Sequence, residues 1–174
     1  MRFTTVLCIV VFAAGLSGCG SAPHEPGRSY GKKGNFSVKL PSDWEEPKDN
    51  TMGLPLLALA PLQPGANFRD NINVVVEPTN TSMTAAEYCK ANIGTLSSML
   101  TAVKTEEPVP VTINGMDAMK MNYSHKMGIY SLKVVVYFFT KGSNGYVLTC
   151  TSTADGFSKA EGKFDEIAQT FKLD

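Results

Sequence analysis

Residues 129–140 (IYSLKVVVYFFT) would be apolar on both sides of a strand, and this constrains the fold more than any other stretch. Tyr130, Leu132, Val134, Val136 and Phe138 alternate onto one face, and Val135, Tyr137 and Phe139 onto the other. A strand with one face in water shows clean alternation, so two apolar faces call for cover on both sides. Residues 146–153 (YVLTCTST) follow across Lys141-Gly142-Ser143-Asn144-Gly145 and supply a pairing partner. The chain must therefore build a sheet with a further layer against each face.

Two helical segments offer those layers. Thr84 and Glu87 have the spacing of a capping box, with Met83 and Tyr88 placed as a hydrophobic staple, and Ala85, Cys89, Ile93, Leu96 and Leu100 form a stripe for a sheet. Ser158 and Glu161 repeat the box spacing, and Phe157, Ala160, Phe164, Ile167 and Phe171 make a second stripe. Gly162 costs that helix about 1 kcal/mol relative to Ala, so packing must hold it.

The remaining apolar periodicity is that of strands. Phe36, Val38 and Leu40 alternate up to Pro41, and Ile72, Val74 and Val76 alternate up to Pro78. Residues 54–62, interrupted by Pro55 and Pro61, read as an edge or bulged strand. Residues 63–71 read as a loop, in which Arg69 and Asp70 are candidate surface contacts but better suit a solvated turn. Residues 109–113 and 116–123 flank Asn114-Gly115, a dipeptide suited to the positive φ angles of a type I′ hairpin turn. His125 and Lys126 are expected in the next turn, before Gly128. Met116, Met119 and Met121 suit core filling better than a binding face. The expected fold class is α+β, an antiparallel β-sheet flanked by helices in an α/β/α sandwich.

The amino end has a different character. After Met1 and Arg2, residues 6–16 are largely apolar, the form of an export signal. As a helix they would span about 16 Å at ~1.5 Å per residue, well short of a ~30 Å bilayer core. The run ends in Leu16-Ser17-Gly18-Cys19, which resembles the lipobox of bacterial lipoprotein precursors. The resemblance implies cleavage after Gly18, lipidation of Cys19 and attachment to a membrane through that anchor. Gly20, in place of Asp, implies the outer membrane and a periplasm-facing domain, or the outer face of the plasma membrane where there is only one membrane. Two or more acyl chains hold a protein stably at a bilayer. Residues 1–18 are then the signal peptide, and 19–35, rich in Gly, Pro and Ser, a flexible tether. Residues 36–174 form one domain of ordinary size.

Sixteen basic residues balance sixteen acidic ones, so no field favours nucleic acid. Of the two histidines, His24 falls in the tether and His125 in the expected turn. No Cys-x-x-Cys, His-Glu-x-x-His, Gly-x-Ser-x-Gly, phosphate loop or calcium loop occurs. Glu45 with Glu46 and Glu106 with Glu107 are adjacent pairs in expected loops, better as solvated charges than as acid and base. No catalytic residue, metal ligand or cofactor site is expected.

The phrase from Asn35 to Trp44, NFSVKLPSDW, resembles the opening of the family that joins the PsbP subunit of photosystem II, the Ran-binding protein Mog1 and bacterial DcrB-like lipoproteins. The closing FDEIAQTF from Phe164 to Phe171 is similar to the ending of the DcrB and PsbP-like domains, and the order of elements between the two agrees. The resemblance implies the same helix-flanked antiparallel sheet. It also implies a non-enzymatic envelope lipoprotein that binds or supports another macromolecule. Its alternative is a chaperone shielding hydrophobic segments on the periplasmic side. PsbP is associated with calcium and manganese, but no matching ligand set is present here. A small apolar ligand carrier is a third reading and would need a closed apolar cavity.

Cys89 and Cys150 remain as an even pair in an oxidising compartment. A bond between them would close a loop of about 60 residues, worth roughly 4 kcal/mol in the chain-entropy model. Buried free thiols are the other reading.

Overall fold

Residues 29–30, 35–48, 50–79 and 81–174 are described by a computed structural model. The leader 1–18, Cys19, Gly20 and most of the expected tether lie outside the described residues. At the centre runs β8 (Tyr130–Lys141), between β7 (Met116–Met127) and β9 (Asn144–Thr153). Outward from β9 come β4 (Asn71–Pro78) and β3 (Leu56–Leu59), while β5 (Thr101–Thr105) and β6 (Val109–Ile113) share the far edge of β7. All pairings in this seven-stranded sheet are antiparallel. A small second sheet joins β1 (Ser29–Tyr30), β2 (Phe36–Lys39) and β10 (Lys172–Leu173), with β2 in the middle.

Both faces of β8 are covered, as its sequence demands. α1 (Ala85–Met99) packs across β7 and β8, and α2 (Phe157–Ala168) packs across β8 and β9. Leu96, Tyr88 and Cys89 of α1 close one core over Val134, Val136 and Phe138. Phe157, Phe164 and Ile167 of α2 close the other over Val135, Tyr137 and Phe139, joined there by Phe36 and Val38 of the small sheet. Each large apolar side chain so buried stabilises the fold by about 1.5–3 kcal/mol relative to exposure. The sheet is thus sandwiched between helices.

Local signals explain several boundaries. Thr84 caps α1, its hydroxyl accepting from the Glu87 N–H while the Glu87 carboxylate accepts from the Thr84 N–H at 2.8 Å. Asn114 and Gly115 have φ of 50° and 79°, as the type I′ turn requires. β3 lies at the edge of its sheet between its two prolines.

Four expectations give way to the tertiary structure. β7 continues to Met127, so His125 lies on a strand and only 3% exposed: pairing with Ser131 and Leu132 of β8 extends the strand past its polar stretch. The expected Ser158 box is not formed, because α2 starts two residues earlier, at Phe157, with Gly156 as N-cap and no side-chain cap. Burial of Phe157 fixes that start. The final stripe residue, Phe171, lies beyond α2 and stacks between Phe36 and Phe139, with ring centroids 5.4 and 4.5 Å away. Within the expected tether, Ser29 and Tyr30 pair with Lys39 and Val38.

Candidate functional site

Five segments meet at the end of the sheet where β3, β7 and β9 finish, and they enclose an open cleft of about 1000 Å³. That is the upper end of ordinary ligand sites, about 300–1000 Å³. Segment 41–44 arrives from β2 and turns sharply, the Trp44 N–H donating to the Pro41 carbonyl at 3.1 Å. The turn sets the Trp44 indole edge-on to Phe164, with ring centroids 6.5 Å apart. Glu45 then bridges Leu59 through backbone hydrogen bonds of 3.0 and 2.8 Å, which holds this segment to β3.

The loop 60–70 forms the opposite wall. It closes through the Ala60 N–H donating to the Asp70 carbonyl at 2.8 Å. Arg69 fixes its base: Nε donates to the Ala60 carbonyl, Nη2 to that of Leu59, and Nη1 pairs with Glu45. This threefold use of one guanidinium makes Arg69 a positioning residue rather than a surface contact. At the loop's tip the Tyr130 hydroxyl donates to the Asn67 carbonyl at 2.8 Å, and Phe68 packs against the Tyr130 ring at 5.4 Å. Thr153 and Gly156 lead into α2, which contributes Lys159, Ala160, Lys163 and Phe164 to the floor and rim.

The lining is mixed in a useful way. Trp44, Phe68, Tyr130 and Phe164 present aromatic surface, Asp43 and Asp70 negative charge, and Lys159 and Lys163 positive charge. Burial raises the Asp70 carboxyl above the usual aspartate value, and a hydrogen bond from Ser152 offsets part of that rise. Of Arg69 and Asp70, which better suited a solvated turn than surface contacts, it is Asp70 that lines the cleft. Among the described residues no histidine lines the cleft beside Ser152; His125 sits on β7, its ring 5.9 Å from that of Tyr123. Among the described residues no group of three or more His, Cys, Asp or Glu has the arrangement to hold a metal ion.

The two remaining cysteines are not brought together. Cys89 is in the α1 core and Cys150 in the α2 core, and both are buried free thiols. β9 places Cys150 with Tyr146 and Leu148 on the face opposite α1, so the sheet itself separates the pair. The disulfide left open by their even number is not made in this structure. Burial pushes the Cys89 thiol up to about 11 and the Cys150 thiol well above its ordinary value. Of the adjacent carboxylates, Glu45 pairs with Arg69, and Glu106 pairs with Lys133 at 3.4 Å and accepts from Asn122. No helix of the described residues is long and apolar enough to cross a membrane.

Phe68, Tyr130, Ser152, Lys159 and Lys163 had no pattern in the sequence that marked them as site residues. Only Trp44, the single tryptophan, stood out, and it did so through the family-like phrase.

No family model and no curated protein matches the sequence. Solved structures do. The chain is similar to cyanobacterial PsbP (CyanoP) from Synechocystis sp. PCC 6803, with a TM-score of 0.62 at 13% identity over 91% of this chain and 99% of that one. It is similar to LpqN, involved in cell envelope biogenesis of Mycobacterium tuberculosis, with a TM-score of 0.60 at 15% identity over 86% of each chain. A variant of Mog1 gives 0.54 at 10% identity, over 84% of this chain and 95% of that one. These likenesses extend over most of each chain at low sequence identity, and the chain therefore has the PsbP/Mog1-like fold.

Proposed function

We propose that this is a non-enzymatic lipoprotein of the cell envelope, anchored through Cys19, whose cleft holds an extended segment of another envelope protein. The observation that carries the reading is the lining of the cleft: four aromatic rings with carboxylates and ammonium groups on its walls. Such a surface offers an apolar side chain a place to bury and its flanking charges a partner of either sign. A small apolar ligand would call for a closed apolar cavity, which this open cleft is not. LpqN, of the same fold, belongs to envelope biogenesis, which supports the address. Gly20 after the anchored Cys19 favours the outer membrane and a periplasm-facing domain.

The experiment is photo-crosslinking in living cells from Gln63 and Lys159 on the cleft rim, with Ser143 at the other end of the sheet as the control. One membrane-protein adduct formed from the rim and not from Ser143 is the expected result. A broad ladder of apolar clients would make the protein a chaperone instead. Rim adducts no different from those of Ser143 would overturn the cleft as the site. Cys19→Ser in the same cells asks whether tethering is required.

A further inference from the structure

The two ends of the main sheet differ in what they show to solvent. At the cleft end, Ile129 in the β7–β8 turn is 88% exposed, Met99 at the end of α1 is 49% exposed, and Leu62 in the loop 60–70 is 46% exposed. Topology puts all three at this one end, spread from the β3 edge to the β5 edge. Met99 precedes Thr101, which pairs with Lys126 beside that turn, and the loop of Leu62 is tied to Tyr130 through Asn67. Lys126 and Lys159 stand exposed at the same end. The turns at the opposite end carry Thr79, Ser82, Asn114, Lys141 and Ser143 instead, and a single exposed large apolar residue, Met52 at 43%, in the turn before β3.

An isolated exposed apolar residue needs no explanation, but three at separate tips of one end do. Single apolar side chains on turns, with lysines beside them, suit the interfacial layer of a bilayer: the apolar tips enter the acyl boundary and the ammonium groups stay with the headgroups. The chain's own direction agrees. Antiparallel pairing sets Ser29 against Lys39, so the polypeptide preceding Ser29 enters from the side of Pro41, a cleft residue. Roughly ten residues separate Cys19 from Ser29, a reach of at most about 35 Å. β8 alone extends about 40 Å at ~3.3 Å per residue.

We infer that the cleft end is the membrane-facing end, with Ile129, Leu62 and Met99 in contact with the lipid surface. The inference rests on the lipid anchor of the proposed function and deepens it. A cleft that opens toward the bilayer receives its partner from there, as a segment emerging from a membrane protein.

The test uses the full acylated chain on vesicles of phosphatidylethanolamine and phosphatidylglycerol. A polarity-sensitive fluorophore is attached in turn at Ile129→Cys, Leu62→Cys and Ser143→Cys; the buried Cys89 and Cys150 remain unlabelled. The expected result is a blue-shifted emission, severalfold brighter, at positions 129 and 62 and no change at 143. Adding Ile129→Asp to the Leu62→Cys protein should abolish the shift while the protein still floats with the vesicles through its acyl chains. Flotation with all three labels equally wet would overturn the orientation and leave the anchor standing. Failure of the acylated chain to float, or flotation undiminished by Cys19→Ser, would remove the anchor itself. A shift at 129 that needs a second protein in the vesicle would assign this end to a protein partner and overturn lipid contact.

Discussion

The ring of Tyr88 covers Gly145 so closely that a Cβ on Gly145 would fall 2.2 Å from the Tyr88 Cζ. Tyr88 has no room to retreat: it is buried between α1, which carries it, and the sheet, and its hydroxyl donates to the Glu77 carboxylate at 2.6 Å. This contact seats the first turn of α1 on β9, far from the cleft. Gly145→Ala is expected to destabilise the domain by about 2–4 kcal/mol, the cost of overpacking a site that cannot relax. Urea unfolding of the variant measures it, and a loss below about 1 kcal/mol would mean that α1 shifts cheaply over the sheet.

The separation of Cys89 and Cys150 by the sheet predicts two thiols and no bridge. Iodoacetamide should leave both unmodified in the folded protein, because burial and raised pKa keep them as inert thiols. After unfolding without reductant, mass spectrometry should find both alkylated. Cys150→Ser is expected to cost about 1–3 kcal/mol by burying a hydroxyl without a partner.

His125 predicts a pH dependence. Burial lowers its pKa below the usual histidine value, only partly opposed by the neighbouring Lys126 backbone, and neither ring nitrogen has a hydrogen bond of normal geometry. The unfolded chain then takes up a proton at a higher pH than the folded one. Stability contributed by neutral His125 is complete above the unfolded value and declines as pH falls through it toward the lowered folded value. His125→Phe, beside the Tyr123 ring, should remove that decline and stabilise the neutral protein by about 1–2 kcal/mol, since it deletes two unpaired buried nitrogens. Thermal melts at pH 7 and pH 5 compare the two proteins.

Asp70 predicts the opposite sign. Its carboxyl is raised by burial, so the ionised form is a burden on the folded state above the raised value, relieved as pH falls through that value toward the ordinary aspartate range. Asp70→Asn should match or exceed the parent in stability at neutral pH, and the gap should close in acid. The same variant should weaken the crosslinks formed from the cleft rim. Stability loss at neutral pH would instead show that the Ser152 hydrogen bond outweighs desolvation.

What the sequence determined by itself was local or periodic. Two apolar faces on residues 130–139 required a sheet covered on both sides, the Thr84–Glu87 spacing gave the start of α1, and Asn114-Gly115 gave a hairpin, because each is set by backbone geometry within one element. Polar residues misled where tertiary pairing overrode them: His125 stayed in a strand because β8 offered it a partner, and α2 began at Phe157 because the core had a place for that ring. The cleft was decided only in three dimensions. Trp44, Phe68, Tyr130, Ser152 and Lys159 come from five separate stretches, and no periodicity within any one of them records how long-range register brings their side chains to a common wall. The same holds for Cys89 and Cys150: their number was legible, but the face of the sheet each would occupy depended on which helix folded over which side.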